Sequence, residues 1–135
     1  MARTITLRLI IDDPVPGVRY SLQEDDMPSE PLTAGDGPVA FNVPVTLHAD
    51  GRMTGPYVRR EGSQRRFVYI RIGVLAGDHG SPWSRRAKID IHDIPGSLLT
   101  PDAVLEAHLP GRGKDGSPAC ATVRPVSAWR AVERR

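Results

Sequence analysis

Glycine and proline punctuate this 135-residue chain 13 times each, and that punctuation constrains the fold more than any other feature. Proline removes the N–H that a helix interior needs, and glycine weakens regular elements, so breakers this frequent favour short strands joined by turns over long helices. The length is close to the commonest domain size, which one hydrophobic core can serve. An apolar fraction of 39% is lowish but adequate, and a charged fraction of 25% is ordinary for a globular domain.

Between the breakers, apolar residues recur every second position. Ile5, Leu7, Leu9 and Ile11 share one face of a first strand. Pro14-Val15-Pro16-Gly17 then forces a turn into a second strand with Val18, Tyr20 and Leu22 inward, which reads as an antiparallel pair. Residues 24–37 are acidic, rich in Pro and Gly and without apolar period, as in a mobile surface loop. Val39, Phe41, Val43, Val45 and Leu47 mark a third strand, and Pro44 inside it suggests an edge or a bulge. A short extended piece is expected at 57–59. The strand from Arg66 to Val74 puts Val68, Ile70, Ile72 and Val74 on one face and Phe67, Tyr69 and Arg71 on the other. Ala87, Ile89 and Ile91 alternate in the next strand. One helical turn fits 95–102, with Thr100 as a cap before Pro101. Residues 103–109 fit a strand by period and a helix by their short apolar run; strand is preferred, because hairpin-loop composition at 111–118 is followed by an extended Ala119–Val123.

The pattern predicts an all-β fold: an antiparallel sandwich or closed barrel of six to seven strands, with at most one short helical turn near 95–102. Residues 1–126 form a single β domain in this reading. Residues 127–135 form a flexible basic tail unless Trp129 docks it to the body. Cys120 is the one cysteine, so no intrachain disulfide forms. No apolar run is long enough for a membrane span. Thr4, Thr6 and Arg8 interrupt the N-terminal apolar residues, unlike a signal sequence. The expected location is cytoplasmic.

Four stretches resemble a known family: residues 13–23 (DPVPGVRYSLQ), 66–69 (RFVY), 81–88 (SPWSRRAK) and 114–123 (KDGSPACATV). They are similar to a family of small bacterial proteins catalogued only as a domain of unknown function. The resemblance runs from about residue 3 to residue 125, and the last two stretches are its most specific parts. It implies a bacterial origin and a stand-alone architecture, and it implies no activity, catalytic residue or cofactor.

Charge is unevenly spread behind a net +2. Residues 12–36 hold seven acidic groups against Arg19, whereas residues 59–88 hold eight basic groups against Glu61 and Asp78. Sixteen of the 18 basic residues are arginine, which suits forked recognition of carboxylate or phosphate and is equally produced by codon bias in a GC-rich genome. Gly111-Arg112-Gly113-Lys114-Asp115-Gly116 spells G-x-G-x-x-G. A dinucleotide site needs a helix after that loop, and Pro118 forbids one, so the stretch reads as a hairpin turn. Cys120 lies between alanines like a buried structural thiol rather than a nucleophile. Asp90 and His92, with Asp78 and His79, could supply metal ligands, but the four histidines are dispersed and match no metal spacing.

The remaining candidate is an aromatic and arginine face on 57–71 and 83–88: Tyr57, Arg66, Tyr69, Arg71, Trp83, Arg85, Arg86 and Lys88. Aromatic rings stack on planar groups and cations grip anions, so the set suits a small anionic ligand. The competing explanation makes Phe67 and Tyr69 core and the arginines a solvated face, partly neutralised by the acidic loop. A single-stranded nucleic acid would also suit stacking rings in a basic groove, with the net charge of +2 counting against it. An interaction module, meeting a partner or forming a homodimer through the second face of strand 66–74, is the other alternative. No nucleophile–base or acid–base pair is readable, so the expectation is binding without catalysis, with no cofactor, metal or membrane involved.

Overall fold

A computed structural model describes residues 3–24, 27–28, 32–61, 64–75, 83–92, 94–112 and 129–132, with backbone alone at 23–24, 27–28, 61, 64–67, 75 and 83–87. Two sheets, neither closed into a barrel among these residues, face one another in a sandwich-like arrangement. The alternation at the start of the chain becomes β1 (Arg3–Asp12), whose Ile5, Leu7, Leu9 and Ile11 are buried. It lies inside the first sheet, antiparallel to β5 (Val39–Leu47) and parallel to β10 (Val104–Pro110). Two short strands, β6 (Met53–Thr54) and β11 (Arg130–Ala131), finish the edges. Because β6 meets β5 only at Thr46 and Leu47, Pro44 sits where, among the described residues, no strand lies on the outer side of β5. A missing N–H is tolerated there.

The parallel pair corrects the all-antiparallel expectation. Parallel neighbours need a long crossover, and here everything between β1 and β10 serves as one. Nor do the first two strands form a hairpin. β2 (Arg19–Glu24) belongs to the second sheet. Pro14 and Pro16 have no N–H for a ladder, while Asp13 at φ 48° and Gly17 at φ 84° turn the chain out of one sheet and into the other.

The second sheet is organised on β8 (Gln64–Leu75). One edge of β8 pairs with β9 (Trp83–Asp90), and the other is shared by β7 (Arg59–Glu61) and β2. The acidic stretch expected as a loop contributes β3 (Met27–Pro28) and β4 (Leu32–Thr33), both paired with β2. A 3-10 turn at Gly96–Leu98 stands where one helical turn was expected.

Between the sheets lies a core to which β1, β5 and β10 send Leu7, Leu9, Val43, Leu105 and Leu109, and to which β2, β8 and β9 send Tyr20, Ile70, Ile72 and Ile89. Each such side chain contributes roughly 1.5–3 kcal/mol by leaving water. The core also takes Trp129, which is 5% exposed, and Arg130 and Ala131 pair with Glu106 and Leu105. The stretch read as a tail therefore enters the sheet at that point. Among the described residues no helix is long and apolar enough to cross a membrane.

Candidate functional site

Alternation along β8 fixes which side chains leave the core. Val68, Ile70, Ile72 and Val74 are buried inward, so Tyr69, Arg71 and Gly73 occupy the opposite face. Register then sets their neighbours: Tyr69 lies opposite Arg59 on β7 and Asp90 on β9, Arg71 opposite Lys88, and Gly73 opposite Arg86 and Ser21. Two cations consequently stand side by side and share one ring. The Arg71 guanidinium carbon is 5.5 Å and Lys88 Nζ 4.8 Å from the centroid of Tyr69. Both distances lie within cation–π range. Lys88 also approaches Asp90 at 3.9 Å. Tyr69, Arg71, Lys88 and Asp90 are only half-buried, whereas Ser21, on the same side of the sheet, is fully buried. The cations thus occupy a half-sheltered surface rather than a fully solvated one.

Of the eight residues predicted for this face, Tyr69, Arg71 and Lys88 are brought together. Tyr57 is in the turn before β7, half-buried and packed against the core cluster. Arg66 lies in β8, and Trp83, Arg85 and Arg86 lie in β9, with Trp83 opposite Leu75 and Arg85 opposite Val74. The side chains of these four lie outside the described residues. A separate pocket of about 130 Å³ opens beside Met53, Gly55 and Val58, with Arg52 and Arg60 among its lining residues.

A second polar cluster was not anticipated. The parallel pairing of β1 and β10 aligns Arg8 with Glu106, Ile10 with His108 and Asp12 with Pro110. His108 Nδ1 lies 2.9 Å from both oxygens of Asp12, and Nε2 lies 3.5 Å from Glu106 Oε1. Arg130 Nη2 reaches the same Glu106 oxygen at 3.8 Å. Immediately beyond β10, Arg112 Nε donates to the Asp13 carbonyl at 3.1 Å and lies 3.2 Å from its carboxylate. Of these residues Asp12, Asp13, His108 and Arg112, together with Pro110 and Gly111, line a pocket of about 350 Å³. The hydrogen bond to Asp12 raises the His108 pKa above its ordinary 6.5; partial burial opposes this, and charge attraction to Asp12 and interaction with Glu106 reinforce it. Both ring nitrogens thus face carboxylates, an arrangement that favours the protonated ring.

The same corner accounts for the first glycine of the G-x-G-x-x-G stretch; positions 113–116 and Cys120 lie outside the described residues. Gly111 donates its N–H to the Asp12 carbonyl at 2.8 Å and accepts from the Tyr20 hydroxyl at 3.3 Å. A Cβ at 111 would lie only 2.6–3.0 Å from backbone atoms of Asp12, Asp13 and Pro14, so glycine is required by the close packing of the end of β10 against the turn that leaves β1. Asp90 lies 3.9 Å from Lys88 and His92 Nδ1 lies 3.3 Å from the Val68 carbonyl, while Asp78 and His79 lie outside the described residues. Among the described residues no group of three or more His, Cys, Asp or Glu is arranged to hold a metal.

A family model described as "Family of unknown function (DUF5990)" matches residues 5–132, and the chain belongs to that family. No curated protein and no solved structure gives a significant match.

Proposed function

We propose that this protein is a binding domain that takes a small anionic ligand on the Tyr69–Arg71–Lys88 face of its second sheet. The observation that supports this reading is the cross-strand pairing of Arg71 with Lys88. Like charges directly opposite one another disfavour a sheet, and both are fixed over the Tyr69 ring. An anion lodged between them removes the repulsion and gains two charge-assisted contacts. Asp90 beside Lys88 supplies a hydrogen-bond acceptor, which suits a ligand that carries a hydroxyl as well as its charge. Half-burial lowers the local dielectric and strengthens each contact.

Thermal unfolding in the presence of inorganic phosphate, pyrophosphate, citrate, a sugar phosphate or a short single-stranded oligonucleotide tests the reading. A ligand at ~100 times its dissociation constant adds about 2.7 kcal/mol, a rise of roughly 10 °C for a domain of this size. Arg71→Ala and Lys88→Ala each abolish that rise. The reading fails if no anion stabilises the protein, or if the rise survives both substitutions. A response to the oligonucleotide alone, steeply reduced by salt, would replace it with nucleic-acid binding.

A further inference from the structure

The connection from β1 to β2 carries the chain between the sheets, and its start is held to the end of β10 by several ties. Two contain no group that titrates at ordinary pH: the Gly111 N–H bonded to the Asp12 carbonyl at 2.8 Å, and the Arg112 guanidinium on the Asp13 and Pro14 carbonyls at 3.1 and 3.5 Å. The third is the imidazole of His108. Asp12 is the last residue of β1, so the two 2.9 Å contacts from Nδ1 to its carboxylate act where the strand ends and the turn begins. Asp13, which follows, has a positive φ of 48°. Aspartate adopts that conformation more readily than most non-glycine residues, and here it starts the turn out of the sheet.

We propose that the Asp12–His108–Glu106 bridge is a pH-dependent clamp that locks the end of β1, and the crossover leaving it, onto the end of β10. Every charged group that the described residues bring to the cluster fits this assignment. Asp12 from β1 and Glu106 from β10 itself face the imidazole. Arg112 is turned to Asp13, and Arg130 from β11 lies 3.8 Å from Glu106. Arg8, opposite Glu106 in register, donates instead to Asn42 at 3.2 Å. Two carboxylates thus flank a single imidazole, and the tie is strongest when that ring carries its proton. Since the His108 pKa is raised in the folded protein, its contribution is fully present below the unfolded value of about 6.5 and is lost as pH rises through the higher folded value. His108 and Asp12 are 46% and 51% exposed, so screening by water keeps the effect modest.

Two measurements on the full chain test the clamp. In NMR titration the His108 ring of the wild-type protein titrates above about 6.5, and Asp12→Asn moves that midpoint down. Over the same range, protection of the Gly111 amide from exchange falls by a factor of about two to five, the span of an exposed ion pair. In His108→Gln that amide shows the weaker protection at every pH. A His108 midpoint at or below about 6.5 in the wild type overturns the proposal. So does Gly111 protection that is as pH-independent in the wild type as in His108→Gln. Should His108→Gln fail to fold, the wild-type and Asp12→Asn titrations decide the matter alone.

Discussion

Replacing Gly111 by alanine tests the corner that joins the two sheets. Ordinarily such a change stabilises a protein by about 0.4–1 kcal/mol, because the unfolded chain loses freedom, and Gly111 is not among the positive-φ glycines. Space decides otherwise. The new methyl carbon would lie 2.6 Å from the Asp12 carbonyl oxygen, 2.8 Å from Pro14 Cα and 3.0 Å from the Asp13 carbonyl oxygen. All three are backbone atoms, so no side chain can rotate away. Restoring contacts of about 3.5 Å requires one segment to withdraw by nearly ~1 Å. That movement strains the 2.8 Å bond from Gly111 to Asp12 and the 3.3 Å bond from Tyr20. Overpacking costs about 1–3 kcal/mol, and weakening one hydrogen bond adds roughly 0.5–1.5. After the entropic gain is deducted, the expected loss is about 0.5–4 kcal/mol, centred on ~2, which at the centre is roughly 8 °C in Tm. Denaturant unfolding of Gly111→Ala beside Gly96→Ala provides the assay, since a methyl at 96 meets nothing within 4 Å. Equal midpoints for the two variants would refute the reasoning.

Other substitutions probe the remaining features by the same unfolding measurement. Leu7→Ala, at a fully buried position in the middle of β1, is expected to lose about 2–5 kcal/mol. Trp129→Ala removes a ring that is 5% exposed and should cost about 3–5 kcal/mol; a loss under ~1 kcal/mol would show that the C-terminal segment does not support the core. Tyr20→Phe, which deletes only the hydroxyl that donates to Gly111, is expected to cost roughly 0.5–1.5 kcal/mol. Arg71→Gln relieves the pairing with Lys88 but gives up the contact with the Tyr69 ring, so stability without ligand should change by less than ~1 kcal/mol in either direction.

Much of the secondary structure was legible because its signal is local. Ile5, Leu7, Leu9 and Ile11 alternate whatever the rest of the chain does, and β1 follows from them. The two faces of β8 were readable for the same reason, and with them the association of Tyr69 and Arg71. Lys88 joins them because one antiparallel register places it opposite Arg71. What composition did not reveal is which strand lies beside which. Pro14 and Gly17 mark a turn equally well whether the chain folds back or changes sheets. The segment at 103–109 could be recognised as a strand without any sign that it runs parallel to β1.

The Asp12–His108 contact depends on that hidden step. The two residues are 96 positions apart, and no spacing motif links them; only the pairing of Ile10 with His108 and Asp12 with Pro110 puts both at one end of the sheet. The sequence by itself determined the strand-rich class and the faces of the long strands, including the side of β8 that carries Tyr69 and Arg71, since period-2 patterning and turn chemistry act over a few residues. Tertiary structure alone decided the parallel pair, the crossover, the glycine-tight corner and the histidine clamp. Those depend on burying both sheets' apolar faces together, a demand that the whole chain meets at once.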